Sequence, residues 1–329
     1  MNNVFYKDDP EYPELLRRIG KEAPKQLYFK GSCPEFSSRF TLKGSDASRK
    51  IQSVRSKQPS IFENCLAVVG SRRLTSYGQR IAQDLVEELA MAGLTIVSGF
   101  MYGGDAAAHQ ATVKVGGRTI AIMPCGIERI NPEYQKNLYD EILKNNGLII
   151  SEYQGDSHPA LWTYPQRNRI VAGLSKAVLV LEAGAKSGSL ITASYAKKFK
   201  RKIFAVPGSI ISSMSKGTNL LIKEGAEVVT EAKDVLEYYD SHSDSSDPGF
   251  SSRFIPLKRE PYAFQKFRNP RLGELEKQII KELGREPLGI DELSRNLEIS
   301  ISELGAKLSF MQIQGLISQT GNKYYINNK

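Results

Sequence analysis

The chain has 329 residues, of which 40% are hydrophobic and 25% are charged, which is ordinary for a soluble globular protein. At roughly 100–200 residues per domain, this length predicts about two domains with linkers or a small third unit. The formal net charge of +9 weakly favours a polyanionic partner, because many basic proteins bind no nucleic acid.

The N-terminus and the cysteines both indicate a cytoplasmic protein that is not bound to a membrane. The first residues, MNNVFYKDDPEYPELL, carry acids where a signal peptide has a basic region followed by an apolar run. No apolar stretch of the sequence approaches the roughly 20 residues that span a bilayer. Cys33, Cys65 and Cys125 form no C-x-x-C pair, which favours a reducing compartment and unpaired thiols.

Changes in composition divide the chain into five zones. We expect a short N-terminal segment, a flexible basic insertion or linker, a Rossmann-like domain, a second linker and a winged-helix-like domain; these are residues 1–32, 33–62, 63–239, 240–271 and 272–329. The first zone contains one extended segment, Gln26–Lys30.

Residues 63–239 alternate between short apolar runs and helix-like stretches. The predicted strands are Leu66–Val69, Thr95–Val97, Thr119–Met123, Leu148–Ile150, Ala177–Leu181 and Ile203–Val206. The predicted helices include Gln79–Met91, Ala106–Val115, Glu133–Lys144, Leu190–Phe199 and Asn219–Lys223. This alternation predicts an α/β fold with a doubly wound, mostly parallel sheet, and continuous apolar strands fit a sheet covered on both faces.

The last zone reads as three helices and a hairpin. The helices are predicted at Leu272–Leu283, Ile290–Leu297 and Ile301–Gln314, and a short strand at Lys323–Ile326 follows the turn at Thr320. Such an order in under 60 residues is typical of a winged helix. The sequence leaves open whether this domain contacts DNA or protein.

Glycine-rich and polar loops follow several predicted strands. They are Gly70–Arg73 with Thr75 and Tyr77-Gly78, Ser98–Asp105, Glu182–Ser189 and Pro207–Ser209. Because ligands of open α/β sheets bind beyond the carboxyl ends of the strands, these loops predict a phosphate-binding rim. None matches the G-x-G-x-x-G or P-loop patterns, which argues against standard dinucleotide or nucleoside triphosphate use.

Arginines are the sharper signal for phosphate. Arg72 directly follows the first core strand, and Pro165–Arg169 introduces a helix predicted at Ile170–Leu174. The planar guanidinium suits phosphate oxygens well. An internal salt bridge is the alternative role for Arg167 or Arg169.

The order of these motifs resembles the DprA/Smf DNA-processing proteins across roughly residues 64–239. The matching segments are Val69–Arg72 with Thr75 and Tyr77-Gly78, Ser98-Gly99 with Asp105–His109, Pro165–Ser175, Glu182-Ala183 with Ser187–Ala193, Ala205–Gly208 and Ser215–Gly225. Tyr12–Gly31 resembles the stretch that precedes the family's core, and the C-terminal unit resembles its winged-helix tail.

The resemblance implies a non-enzymatic protein without cofactor or metal. It would bind single-stranded DNA, form a homodimer and load RecA recombinase onto DNA in natural transformation and recombination. Ser71, Arg72, Arg167, Asn168 and Arg169 would lie at the DNA. The loop of Lys186, Ser187, Gly188 and Ser189 would cradle a phosphate, and Lys136 matches a basic position that the family uses for DNA.

The second loop departs from the family pattern Ser-Gly-Leu-Ala-Arg-Gly-Ile-Asp. Here Phe100–Gly104 replaces its interior, so Tyr102 occupies the place of the customary arginine and base stacking could replace a phosphate contact. Asn131 and Gln135 also differ from the usual tyrosine and asparagine. The insertion at 33–62 is unusual, and the helical N-terminal domain of many members is missing.

Several single residues have competing interpretations. His109 is expected to be a packed helix residue, and Asp105 is expected to cap a helix that begins at Ala106. Trp162 and Tyr164 could stack on a base or anchor their loop.

Two other functions remain possible from the sequence. One is a nucleotide-binding sensor that uses the same pocket. The other is a phosphoribohydrolase-like enzyme of the same superfamily, although Thr192 stands where those enzymes carry a catalytic glutamate.

Overall fold

A computed structural model describes residues 3–31, 60–242, 250, 273–284 and 286–326. The chain forms two compact units, Met1–Ile255 and Pro256–Lys329. All but residues 60–62 of the predicted insertion at 33–62 lie outside the described residues, and so does most of the predicted linker at 240–271.

The first unit is built on a nine-stranded sheet. Its strands are β1 (Asn3–Tyr6), β2 (Gln26–Gly31), β3 (Cys65–Val69), β4 (Thr95–Ser98), β5 (Thr119–Gly126), β6 (Leu148–Tyr153), β7 (Ala177–Val180), β8 (Lys202–Ala205) and β9 (Glu227–Val228). The strand order is β1-β2-β6-β5-β4-β3-β7-β8-β9. The seven strands from β3 to β9 pair in parallel, so the predicted mostly parallel sheet is confirmed.

Helices connect the parallel strands. In the first unit they are α1 (Glu14–Arg17), α2 (Ser76–Met91), α3 (Gly104–Lys114), α4 (Lys136–Lys144), α5 (Thr163–Leu174), α6 (Ser189–Lys198), α7 (Lys216–Lys223) and α8 (Ala232–Asp240), with 3-10 turns at Gly20–Glu22 and Glu133–Gln135. The sequence pattern located the five helices α2, α3, α4, α6 and α7 to within a few residues.

Both faces of the sheet are covered, which explains why the strands read as continuous apolar runs rather than alternating ones. Every residue of β3 is buried. Cys65, Ala67 and Val69 belong to one hydrophobic cluster, whereas Leu66 and Val68 belong to another. Because successive side chains of a strand point to opposite faces, these clusters lie on the two sides of the sheet.

The N-terminal residues extend the sheet rather than standing apart from it. β1 pairs antiparallel with β2, and β2 pairs antiparallel with β6. Phe5 and Leu27 are fully buried in the same cluster as strands β3 and β5. The extended segment predicted at Gln26–Lys30 is therefore an integral strand of the core.

The strand order reverses direction at β3. From β3 the chain proceeds to β4, β5 and β6 on one side, and β7 then pairs with β3 on its other side. The loops that leave β3 and β7 consequently diverge and open a crevice at the carboxyl ends of these strands. Such a switch point is where doubly wound sheets bind ligands.

The second unit contains three helices and a hairpin. They are α9 (Glu274–Leu283), α10 (Ile290–Leu297), α11 (Ile301–Ile313), β10 (Ile317–Thr320) and β11 (Lys323–Ile326). A separate core that includes Ile279, Leu293, Leu304 and Leu308 holds them together. The sequence predicted all three helices and the last strand.

Two predicted helix starts are wrong. Helix α5 begins at Thr163 rather than at Ile170, so Pro165–Arg169 lies inside the helix. Proline is tolerated there because the first-turn amides have no intrahelical acceptor. Helix α3 begins at Gly104 with Gly103 as its N-cap, so Asp105 lies in the first turn and is not the cap.

Among the described residues, no helix is long and apolar enough to cross a membrane. No cluster of histidine, cysteine, aspartate and glutamate suited to a metal ion occurs in the same ranges. In these ranges Cys65 and Cys125 are both buried and form no disulfide, and their thiols donate to the carbonyls of Ile61 and Arg129.

Candidate functional site

A cavity of about 770 Å³ opens at the switch point of the sheet. It is lined by residues from the loops after β3, β4, β7 and β8 and from the N-terminal parts of α3, α5 and α6, with Leu161 just before α5. The lining includes Gly70, Ser71, Arg72, Arg73, Gly99, Met101, Tyr102, Asp105, Leu161, Tyr164, Arg167, Asn168, Lys186, Ser187, Gly188, Ser189, Ile191, Thr192 and Met214. Eight of the ten predicted site residues are thus brought together.

The loop after β3 is held by a buried carboxylate from the neighbouring strand's loop. Glu182 is 2% exposed, and it accepts hydrogen bonds from the Thr75 amide at 2.9 Å and from the Thr75 hydroxyl at 2.6 Å. The Ser71 amide donates to the Glu182 carbonyl at 2.7 Å. Glu182 therefore positions Ser71 and Arg72 at the cavity without lining it.

Two glycines let the first and second loops touch. The Gly104 amide donates to the Ser71 carbonyl at 2.9 Å, and a Cβ on Gly104 would come within 2.5 Å of Gly70 Cα. At Gly104 only a hydrogen permits this approach, whereas a Cβ on Gly70 would make a tight contact of 3.2 Å with Gly104 Cα. Helix α3 therefore begins directly against the loop that carries Arg72.

Arg72 is exposed at the mouth of the cavity between two aromatic rings. Its guanidinium carbon lies 5.5 Å from the ring centre of Tyr164 and 5.7 Å from that of Tyr102. Such cation–π contacts orient an arginine while leaving its N–H groups open to a ligand. Tyr102 thus supports Arg72 at the position where the family pattern has an arginine.

The rim of the cavity carries cations that the protein does not neutralise. Within the described ranges, no carboxylate forms an ion pair with Arg72, Arg73 or Lys186, and all three side chains are exposed. Arg73 lines the cavity although the sequence analysis did not single it out. Unpaired cations around a concave surface focus a positive electrostatic field there, which attracts anions.

The loop before α6 presents fewer free amides than the sequence predicted. The Ser187 amide donates to the Gly184 carbonyl at 3.0 Å, and the Ser189 amide approaches the Ser187 hydroxyl at 3.4 Å. Among the described residues, the amides of Lys186 and Gly188 have no acceptor. These two amides, at the start of a helix, remain for an anion.

Opposite charges meet at the floor of the cavity, where Asp105 and Arg167 both lie against Gly99. A Cβ on Gly99 would overlap the Asp105 carboxylate and the Arg167 guanidinium. Arg167 is 3% exposed and donates through Nη1 to the Ile122 carbonyl. Burial raises the pKa of Asp105, and the charge of Arg167 opposes that rise.

His109 is buried behind this floor, as the packed-residue interpretation expected. Its Nδ1 lies 2.7 Å from the Thr119 hydroxyl, and its Nε2 lies 3.4 Å from the Gly99 carbonyl. Burial lowers the pKa of His109 from 6.5 to about 4. The ring is therefore neutral at physiological pH and serves the packing of the second loop.

Arg169 and Lys136 do not line the cavity. Arg169 is buried and pairs with Glu152 at 2.6 Å, which is the internal salt bridge that the sequence left as its alternative. Successive helical residues point about 100° apart, so Arg167 and Arg169 face different directions along α5. Lys136 is exposed and pairs with Asp140 one turn along α4 at 2.6 Å.

Trp162 and Tyr164 have different surroundings. Trp162 is 60% exposed and meets Tyr153 edge-on at 6.2 Å. The Tyr164 hydroxyl accepts a hydrogen bond from Asn131 at 3.1 Å. Tyr164 therefore both anchors its segment and lines the cavity, whereas Trp162 offers an open aromatic face beside the mouth.

Thr192 lines the cavity and is 2% exposed. A threonine hydroxyl cannot act as the carboxylate that the phosphoribohydrolase-like enzymes use at this position. The arrangement of rim cations, free amides and aromatic rings instead suits binding of a phosphate-containing ligand.

Comparison with known protein families covers both units. A family described as DNA recombination-mediator protein A matches residues 53–240, more than half of the chain. The DprA winged helix domain matches residues 267–323. The predicted fold class, a Rossmann-like α/β domain with a small C-terminal winged-helix domain, is therefore confirmed.

Individual relatives carry names of the same family. Protein Smf of Synechocystis sp. is 33% identical over 97% of this chain and 78% of its own length. Protein Smf of Escherichia coli is 44% identical, over 52% of this chain and 46% of its own length. DNA processing protein DprA of Streptococcus pneumoniae is 42% identical, over 53% of this chain and 61% of its own length.

Two solved structures share the fold. The X-ray structure of DprA from Streptococcus pneumoniae has a TM-score of 0.60 at 35% identity and covers 72% of this chain and 74% of its own. DNA processing protein A from Helicobacter pylori, studied for its single-stranded DNA binding mode, has a TM-score of 0.59 at 27% identity. It covers 74% of this chain and 98% of its own.

Proposed function

Because this chain belongs to the DprA/Smf family of DNA-processing proteins, we propose that it binds single-stranded DNA in the cavity between β3 and β7. The observation that carries the proposal is the unpaired cationic rim of Arg72, Arg73 and Lys186. A nucleic acid backbone is the polyanion that such a rim attracts, since phosphate contacts supply most of the affinity of non-specific binding.

The mouth of the cavity suits an unpaired strand better than a duplex. Tyr102 and Tyr164 line it, and Trp162 and Leu161 are exposed beside it. Aromatic side chains stack on bases of any sequence, but only where the bases are unpaired and accessible. We therefore expect a preference for single strands with little dependence on base sequence.

Ser71, Arg72, Asn168, Lys186 and Gly188 are the residues that we place at the phosphates. Arg167 lies below them and balances Asp105. We do not place Arg169 at the DNA, because Glu152 occupies its guanidinium. Lys136 stays a prediction from the family resemblance; it lies outside the cavity lining and pairs with Asp140.

We further propose that the chain acts as a recombination mediator rather than as an enzyme. In this role it forms a homodimer and loads RecA onto the bound strand during natural transformation or recombination. Support for this finer role comes from membership of the family alone. Its test is RecA filament assembly on DNA already coated with single-strand-binding protein, with and without this chain.

The binding proposal is tested by fluorescence anisotropy with labelled single-stranded and duplex oligonucleotides over a salt series. Replacing Arg72 with alanine should raise the Kd for the single strand by about 5- to 150-fold, the equivalent of about 1–3 kcal/mol for a hydrogen bond to a charged group. The slope of log K against log salt should become shallower by about 0.7, the value for one lost phosphate contact.

Arg80→Ala is the matched control for this substitution. Arg80 is an exposed arginine on α2 that pairs with Asp84 and lies outside the cavity lining. The Arg80→Ala substitution removes the same net charge as Arg72→Ala. The Kd of this variant should stay within about twofold of the wild type, because surface pairs contribute little. If Arg72→Ala and Arg80→Ala weakened single-strand binding equally, DNA would bind to the basic surface in general and not specifically to the cavity.

A small nucleotide is the second candidate ligand. The cavity volume of about 770 Å³ lies within the usual range of small-molecule sites. Competition separates the two functions. A mononucleotide that binds tightly while oligonucleotides do not would favour a nucleotide-binding sensor, whereas affinity that grows with oligonucleotide length favours the DNA-binding role.

A further inference from the structure

Two loop tips of the first unit hold large apolar side chains in water. Ile210 and Ile211, after β8, are 87% and 91% exposed. Leu161 and Trp162, in the segment between β6 and α5, are 92% and 60% exposed. Because β6 and β8 both run in the direction of the parallel strands, the two tips lie at the same edge of the sheet.

The isoleucine tip is a β-turn that the fold holds in place. The Ser212 amide donates to the Ser209 carbonyl at 3.0 Å, which puts the two isoleucines at the central positions of the turn. At the base of the loop, the Asn219 side chain donates to the Gly208 carbonyl at 3.0 Å and accepts from its amide at 3.3 Å. Small and polar residues or proline favour the centre of such turns, so the turn itself does not require two isoleucines.

The same edge of the sheet is cationic. The cavity lining includes Leu161 from one tip segment and Met214 from the loop of the other, together with Arg72, Arg73 and Lys186, for which the described residues supply no carboxylate partner. The loop segments at this edge that contain no acidic residue are 70–77, 99–103, 183–189 and 207–216. Exposed apolar tips are therefore combined with unneutralised positive charge.

We propose that this edge of the first unit binds peripherally to the surface of an anionic phospholipid bilayer. The apolar tips enter the region between headgroups and acyl chains, while the rim cations contact the headgroup phosphates. Exposed aliphatic and tryptophan side chains beside lysine or arginine are typical of proteins that lie on a membrane. The lack of a spanning segment, from which the sequence predicted no membrane attachment, does not bear on peripheral binding.

Shape favours a bilayer over a protein partner. Large exposed apolar residues mark either kind of interaction site. The two tips come from separate loops, so a protein partner would need two pockets at a matching spacing. A fluid bilayer interface adapts to separate protrusions, and anionic headgroups supply the charge that the rim attracts.

Vesicle flotation with the full-length chain tests the proposal. The chain should float with vesicles of equal parts phosphatidylglycerol and phosphatidylcholine. Its partition coefficient should be at least about fivefold lower on phosphatidylcholine alone, the equivalent of one cation at a charged surface. The emission of Trp162, the single tryptophan, should shift to shorter wavelength on the anionic vesicles as its ring leaves water.

Ile211→Ser should lower the partition coefficient on anionic vesicles by about fivefold or more, because an exposed aliphatic side chain no longer enters the interface. Ile313→Ser is the matched control, since Ile313 is 84% exposed and belongs to the second unit. Its partition coefficient should stay within about twofold of the wild type. Neither residue lines the cavity, so both variants should keep the wild-type Kd for single-stranded DNA.

The proposal goes beyond DNA binding, and the two can fail separately. Absence of wild-type flotation on anionic vesicles, or an equal loss in Ile211→Ser and Ile313→Ser, overturns the membrane proposal and leaves DNA binding in place. Self-association that Ile211→Ser abolishes, without vesicle binding, also overturns it and assigns the tip to a protein interface. Flotation without any binding of oligonucleotides instead overturns the proposed function.

Discussion

Both oxygens of the Glu182 carboxylate accept hydrogen bonds from Thr75, one from its amide at 2.9 Å and one from its hydroxyl at 2.6 Å. The same hydroxyl accepts from the Gly78 amide at 3.2 Å and so caps helix α2. One buried acid after β7 thereby fixes the loop after β3, and the cavity between these strands depends on that connection.

Replacing Thr75 with valine should lower the free energy of unfolding by about 2–4 kcal/mol. The substitution removes a hydrogen bond to a charged group and a helix cap, and it leaves a buried carboxylate oxygen unsatisfied. Urea denaturation measures the loss. Thr75→Ser keeps the hydroxyl and should stay within about 1 kcal/mol of the wild type; equal losses in the two variants would contradict the role given to the hydroxyl.

Gly99→Ala should disturb the floor of the cavity, whereas Gly188→Ala should be tolerated. The added Cβ at Gly99 overlaps the Asp105 carboxylate and the Arg167 guanidinium, and such overpacking typically costs about 1–3 kcal/mol. At Gly188, a Cβ would have no heavy atom within 4 Å, and the φ of −61° suits alanine. Thermal unfolding of both variants tests this contrast between two glycines of one cavity.

Arg169→Gln should destabilise the fold without weakening DNA binding by the folded protein. The substitution leaves Glu152 partly buried without its cation, and breaking a buried pair costs about 3–5 kcal/mol; the partial exposure of Glu152 places the loss at the lower end. Denaturation and anisotropy on the same preparation separate the two effects. A higher Kd in a fully folded variant would return Arg169 to the DNA contacts that the sequence analysis predicted.

Acidification should destabilise the first unit partly through His109. Its pKa is 6.5 in an unfolded chain and about 4 in the fold, so the unfolded state binds the proton more readily between these values. Stability is therefore lost as the pH falls through 6.5, by about 2 kcal/mol between pH 7 and pH 5. Urea titrations at the two pH values measure this loss of unfolding free energy. In His109→Asn the loss should be about 2 kcal/mol smaller than in the wild type.

Trp162 is the single tryptophan of the chain, so its intrinsic fluorescence reports on the mouth of the cavity. Because its ring is 60% exposed, stacking on a base should quench its emission in a saturable manner. The quenching should follow the Kd from anisotropy and shift with Arg72→Ala. Unchanged emission on a saturated complex would assign Trp162 to anchoring its segment against Tyr153.

The architecture could be predicted largely from the sequence, because it depends on local periodicity. The six predicted core strands and most of the connecting helices follow from the spacing of apolar residues. The start of helix α5 was missed although threonine and proline, here Thr163 and Pro165, are common at helix N-termini. The structure places Trp162 at the N-cap, where it makes no capping hydrogen bond. Strand β1 and helix α8 were not predicted individually.

The cavity was also foreseeable in outline, since glycine-rich loops after parallel strands must meet at one edge of the sheet. Ser71, Arg72, Asn168 and the Lys186–Ser189 loop all reach it. The positioning role of Glu182 was foreseeable, because an acid directly after an apolar strand is expected to be buried and therefore to need hydrogen-bond donors from a neighbouring loop. Arg73 belongs to the Gly70–Arg73 loop that the sequence assigned to the rim, although only Arg72 was named there as a phosphate contact.

By itself, the sequence determined the parallel sheet, the positions of its loops and the family resemblance, because each depends on residue types at short and regular spacings. Only the tertiary structure decided which charges meet: Arg169 with Glu152, Arg167 beside Asp105, and Arg72 between Tyr102 and Tyr164. The physical reason is that a charged side chain finds its partner across strands and helices. That choice depends on distance and burial in space rather than on separation along the chain.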